Sequence, residues 1–144
     1  LGLAAAAQAS APPADGAARV LADARVNGFA VAVVTSAQAA TARAWLRASG
    51  LADAVDDVVG GDDVARGKPA PDPYRLALQR VQCQPADAMA IEDSPQGALS
   101  ALAAGVPTWL LAPQAPPDLQ RHAGFRGCLA AFSDVSGLLR PSRG

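Results

Sequence analysis

The clearest pattern along the chain is a series of short apolar runs, each stopping at a polar or glycine-containing turn and each followed by a helix-like stretch. Val31-Ala32-Val33-Val34 begins after Asn27-Gly28 and stops at Thr35-Ser36, as a buried parallel strand does. Ala39 to Ala48 then reads as a helix closed by Gly50. Val55 to Val59 is a second strand, ended by Gly60-Gly61, and Pro73 to Val81 a second helix, with Asp72 as N-cap and proline at its first position. Ala88 to Ile91 is a third strand, after which Ser94 caps a helix from Pro95 to Ala104. Thr108 to Leu111 is a fourth strand, and beyond it the pattern fades.

Strands about 20 to 30 residues apart with helices between them describe βαβ units, whose right-handed crossovers build a doubly wound α/β sheet. Ligands of such sheets lie beyond the carboxyl ends of the strands, and Thr35 and Glu92-Asp93 both fall there. A chain of 144 residues suits one domain. Aromatics make up only 4% of it against 51% hydrophobic residues, so the core must be built from Ala, Val and Leu, with helices close to the sheet.

Charge narrows the partners. A formal net charge of -1 offers no field to gather nucleic acid or an anionic membrane. No apolar run approaches the ~20 residues needed to span a bilayer. Cys83 and Cys128 have no metal-ligand spacing, which suits a reduced, cytoplasmic setting. His122 has no partner at ligand spacing, and the cysteines, Trp45 and Trp109 read as packing residues.

Three stretches carry chemistry. At Val33-Val34-Thr35-Ser36-Ala37 a strand delivers a hydroxyl to a helix N-terminus, where free N–H groups favour an anion; phosphate would meet Thr35 Oγ and the Ser36 N–H. A plain helix cap is the other reading. Gly67-Lys68-Pro69-Ala70-Pro71-Asp72-Pro73 mounts a lysine among prolines, each of which restricts the residue before it, so Lys68 either reaches a phosphate oxygen or is solvated in a connector. Ile91-Glu92-Asp93-Ser94-Pro95 sets two carboxylates at a strand end, a donor pair suited to Mg²⁺ unless Asp93 only assists the cap.

In this order the three stretches resemble the haloacid dehalogenase superfamily of phosphohydrolases, in its phosphoglycolate phosphatase and β-phosphoglucomutase-like branch, from about Asp15 to Leu111. Gly-Lys-Pro-Ala-Pro-Asp-Pro-Tyr and Glu-Asp-Ser-Pro-Gln-Gly-Ala are the most specific parts. The resemblance implies a Rossmann-like core acting on a small phosphorylated metabolite. Thr35 would be the second-motif hydroxyl, Ser36 a phosphate-binding N–H, Lys68 the third-motif lysine, and Glu92 and Asp93 the acids around Mg²⁺.

The family's first motif, Asp-x-Asp on the central strand, is absent from the chain; Asp15 and Asp23 are isolated, and Asp62-Asp63 reads as a turn. Hydrolysis of phosphate monoesters needs accelerations up to ~10²¹, and one positioned donor supplies about 10²–10³. Thr35 and Lys68 alone therefore fall short. On this reading residues 1–14 are a cap remnant or a disordered N-terminus, residues 15–144 are a partial core, and the chain is an inactive fragment of an enzyme. The missing central strand would leave a gap, or unpaired edges open to another copy. A non-catalytic domain that binds phosphate is the alternative. A receiver domain is disfavoured because its acids precede its Thr and Lys, and a dinucleotide fold because no Gly-x-Gly-x-x-Gly follows a strand.

Overall fold

The computed structural model describes residues 16–139 and, for Gly2–Ala5, the backbone. Each short apolar run found in the sequence becomes a strand of one parallel sheet. The strands are β1 (Gly2–Ala5), β2 (Ala30–Val34), β3 (Asp57–Val59), β4 (Ala88–Glu92), β5 (Thr108–Leu111) and β6 (Phe125–Leu129). The helices are α1 (Ala17–Val26), α2 (Ala39–Ala48), α3 (Asp72–Val81), α4 (Pro95–Ala103) and a single turn, α5 (Pro117–Gln120). The sheet order is β3-β2-β1-β4-β5-β6, so the chain winds outward in both directions from its first strand.

Strand alternation divides the core between the two faces. Val31 and Val33 of β2 join Val20, Leu21, Ala24, Ala42 and Leu46 of α1 and α2 on one side. Ala32 and Val34 face the other way and meet Tyr74 and Ala77 of α3, with Ala101 of α4. Ala98 and Ala101 are fully buried, which is the close helix–sheet approach that an alanine-built core requires. Thr108 is buried too, its hydroxyl satisfied by the Val106 carbonyl at 2.8 Å. Asp62-Asp63 lies in a short turn, as its sequence suggests, and each acid accepts a backbone N–H: Asp62 from Ala39 at 2.8 Å and Asp63 from Gly60 at 2.8 Å. Among the described residues no helix is long and apolar enough to cross a membrane.

One expectation is corrected. The sequence reading leaves a hole between the strand ending at Thr35 and the strand ending at Ile91, with Gly2–Ala5 assigned to a cap remnant or disordered N-terminus. The structure puts β1 in that place, pairing Ala5 with Val33 on one side and Ile91 on the other. The internal edges are therefore filled, and the reason for expecting another copy to pair there disappears. A central strand needs donors and acceptors on both sides and no proline, conditions that Gly-Leu-Ala-Ala meets. Alanine's weak strand preference is what conceals it in the sequence. The rest of the proposed remnant, from Ala6 onward to residue 14, lies outside the described residues.

Candidate functional site

The carboxyl ends of β2 and β4 flank that of β1, and the three stretches singled out in the sequence converge there. Thr35 ends β2. Its N–H donates to the Val59 carbonyl at 2.9 Å, and its Oγ1 accepts from the Ala37 N–H at 3.1 Å, which turns the chain toward α2. Thr35 is buried and Ser36 exposed, and neither the Thr35 hydroxyl proton nor the Ser36 N–H donates to a partner among the described residues. The turn after β3 braces this loop from outside. The Gly61 N–H donates to the Ala37 carbonyl at 2.8 Å, and a Cβ on Gly61 would collide with the Ser36 carbonyl oxygen.

Lys68 reaches inward from the proline-rich connector, whose Lys68-Pro69 peptide is cis. Its ammonium donates to the Val34 carbonyl at 3.0 Å, one residue before Thr35, and to Glu92 Oε1 at 2.7 Å. The connector is held down farther along by Ser100 of α4, whose hydroxyl donates to the Ala70 carbonyl at 2.6 Å. Two of the three ammonium protons are thus committed, and the third has no hydrogen-bond partner among the described residues. Lys68 is thus tied to the residue that precedes Thr35.

The two acids of β4 part company. Alternation places Glu92 on the same face as Ala88 and Ala90, beneath α3, while the adjacent Asp93 lies exposed. Glu92 is 1% exposed and its Oε1 accepts from both Lys68 and the Tyr74 hydroxyl, the latter at 2.5 Å. Its Oε2 is buried without a hydrogen-bond partner among the described residues. That oxygen lies against Gly97 in the first turn of α4, where any Cβ would occupy its position. Ser94 caps the same helix, its Oγ accepting from the Gly97 N–H at 3.1 Å. Burial pushes the Glu92 carboxyl above its ordinary range, against the pull of Lys68 and of the two hydrogen bonds it accepts. Burial and the neighbouring Glu92 push the Tyr74 phenol well above its own.

The same geometry bears on a metal. Glu92 offers no free, accessible oxygen: one is shared by two donors, the other sealed against α4. Asp93 is the carboxylate that remains. Among the described residues no group of three or more His, Cys, Asp or Glu side chains gathers as a metal site. The described residues therefore do not fit a resident Mg²⁺.

Tyr74 is the member that sequence reasoning missed, since a tyrosine inside a predicted helix reads as core. A signal was nevertheless present. Lys68, Glu92 and Tyr74 are the only lysine, the only glutamate and the only tyrosine of the chain, which otherwise uses arginine and aspartate for its permanent charges. All three meet in one buried cluster, with the Lys68 ammonium also 5.9 Å from the centre of the Tyr74 ring.

A family model described as haloacid dehalogenase-like hydrolase matches residues 3–105. A phosphoglycolate phosphatase of Rhodospirillum rubrum is 36% identical over 112 residues, which are 78% of this chain and 45% of that protein. Hexitol phosphatase A of Escherichia coli is 40% identical over 94 residues, 65% of this chain and 42% of that protein. Among solved structures, CbbY from Rhodobacter sphaeroides in complex with phosphate superimposes with a TM-score of 0.72 at 32% identity, covering 85% of this chain and 55% of that one. The chain thus spans about half the length of the relatives it matches.

Proposed function

The chain belongs to the haloacid dehalogenase-like hydrolases, and from that premise we propose that it carries the phosphate-gripping part of a phosphohydrolase site without the group that attacks phosphorus. Thr35 Oγ1, the Ser36 N–H and the third proton of Lys68 are the donors of this grip, and a small phosphorylated metabolite is its ligand. The observation that carries the reading is the Lys68 ammonium, pinned between the Val34 carbonyl and Glu92 and so held beside Thr35. A lysine that served only solubility would be solvated.

Phosphatases of this family generally use Mg²⁺. Of the two candidate ligands, Glu92 and Asp93, the proposal keeps Asp93 alone and routes no chemistry through a metal. The strand between β2 and β4 reads Gly-Leu-Ala-Ala, and the next residues in sequence are Ala6-Ala7-Gln8, so this stretch has no carboxylate to attack phosphorus or to share a metal. These 144 residues accordingly bind phosphate and do not hydrolyse its esters.

Titration calorimetry with inorganic phosphate tests the grip. The unmodified chain binds, and Lys68→Ala and Thr35→Ala each weaken binding by about tenfold or more, the loss of one charge-assisted or well-placed hydrogen bond. Binding that survives both substitutions unchanged would place the anion elsewhere.

A further inference from the structure

We propose that Tyr74 and Glu92 are positioning residues for the Lys68 ammonium, so that Glu92 serves the lysine instead of a metal, and that Gly97 is the space which lets it do so. This rests on the reading that Lys68 grips phosphate, and it names how the grip is built.

A lysine alone has no fixed direction. Its ammonium is a compact charge on a flexible stem, able to rotate its three donors to suit any surrounding oxygen. A free lysine therefore gives an anion no fixed address. Here the side chain is 10% exposed, and two of its donors end on oxygens that cannot move independently. The Val34 carbonyl belongs to the sheet, and Glu92 Oε1 is fixed in turn by the Tyr74 hydroxyl at 2.5 Å. Tyr74 is fully buried between α3 and the sheet, so the phenol is a rigid post rather than a mobile donor.

Glu92 is oriented from the other side as well. Its second oxygen sits where a side chain at position 97 would be, so α4 packs against the carboxylate through a glycine. A carboxylate meant for a cation would turn that oxygen toward the open end of the sheet. Here it is turned into the α4 packing, and the exposed acid at that strand end is Asp93. The chain also places its only Lys, Glu and Tyr in this one cluster. Arginine, with five donors in a rigid fork, would not leave a single proton pointing outward.

The single lysine makes the test clean, because chain grown with ¹³C,¹⁵N-lysine gives one side-chain signal set. The Lys68 Cε and Nζ resonances are recorded first without ligand, in the unmodified chain and in Tyr74→Phe and Glu92→Gln. The expected result is a signal displaced from that of free lysine in the unmodified chain and moved back toward it in both variants. Next, MgCl₂ is added to the unmodified chain, a step that needs no variant to fold. The expected result is no movement of the lysine signal. Inorganic phosphate then shifts the signal, with an affinity about tenfold weaker in Tyr74→Phe.

Two results overturn the proposal: a lysine signal indifferent to Tyr74→Phe, or Mg²⁺ driving it to the position seen in Glu92→Gln, which would mean that the metal takes Glu92 away. Failure of phosphate to shift the signal in any form sinks the grip itself, while the ligand-free and Mg²⁺ spectra still decide whether Tyr74 and Glu92 hold the lysine.

Discussion

Two neighbouring parts of the sheet differ sharply in what they carry. At the ends of β2 and β4 a lysine, a glutamate and a tyrosine are joined by hydrogen bonds, and the lysine is tied to the Val34 carbonyl, one residue before Thr35. Between them, β1 pairs fully with both neighbours yet consists of Gly-Leu-Ala-Ala. The fold asks of a central strand only backbone pairing and the absence of proline, and small apolar residues meet that demand. The family resemblance implies carboxylates on this strand, and Gly-Leu-Ala-Ala has none. The sheet is therefore complete at a strand that carries no carboxylate.

The largest expected effect comes from breaking the dense region. Lys68→Ala leaves Glu92 buried and uncompensated, so the chain should lose about 3–5 kcal/mol in urea unfolding, as buried pairs do when one partner is removed. Asp93→Ala, one residue from the same strand end but exposed, should change stability by no more than about 0.5 kcal/mol. Equal effects at the two positions would erase the distinction drawn between them.

Breaking the plain region comes next. Ala4→Pro removes a backbone donor from a strand paired on both sides and should cost about 1–3 kcal/mol, the penalty of an unmade buried hydrogen bond. If the melting curve does not move, β1 is not the centre of the sheet.

Gly97→Ala sharpens the picture at the seam between α4 and Glu92. Helix propensity alone would make alanine favourable by about 1 kcal/mol. The collision with Glu92 Oε2 should reverse that sign and leave a net loss of about 1–2 kcal/mol in thermal unfolding. A stabilised variant would show the carboxylate free to move.

The smallest effect is optical. Tyr74 is the one tyrosine, and its phenol titrates well above 10.0 in the folded chain. Because the folded value lies above the unfolded one, the contribution of Tyr74 to stability is fully present below about pH 10 and is lost as pH rises through the folded value. Tyrosinate absorbance should therefore appear together with the loss of secondary structure in circular dichroism. Ionisation well before unfolding would mean that the phenol is open to solvent.

Much of this was legible in the sequence, for identifiable reasons. Val31–Val34 and Thr108–Leu111 are short apolar runs bounded by turn residues, and α2 runs from Ala39 to Ala48 as read from the pattern. The strand end before Thr35 and the proline mount of Lys68 leave local marks in the sequence. β1 stayed hidden because alanine favours no strand, and β6 because arginine and glycine interrupt it. The fate of Glu92 was half legible: alternation from Ala88 and Ala90 turns it toward α3, but nothing local says that Tyr74 waits there. That contact spans 18 positions in sequence and exists only once α3 has crossed the sheet.

The central claim is that the chain grips phosphate without transferring it. Its most direct test is a hydrolysis assay with the purified 144-residue chain, a phosphate monoester and Mg²⁺, run beside the Lys68→Ala variant. The account predicts no release of phosphate above the variant's background. Mg²⁺-dependent release by the unmodified chain that Lys68→Ala abolishes would contradict it.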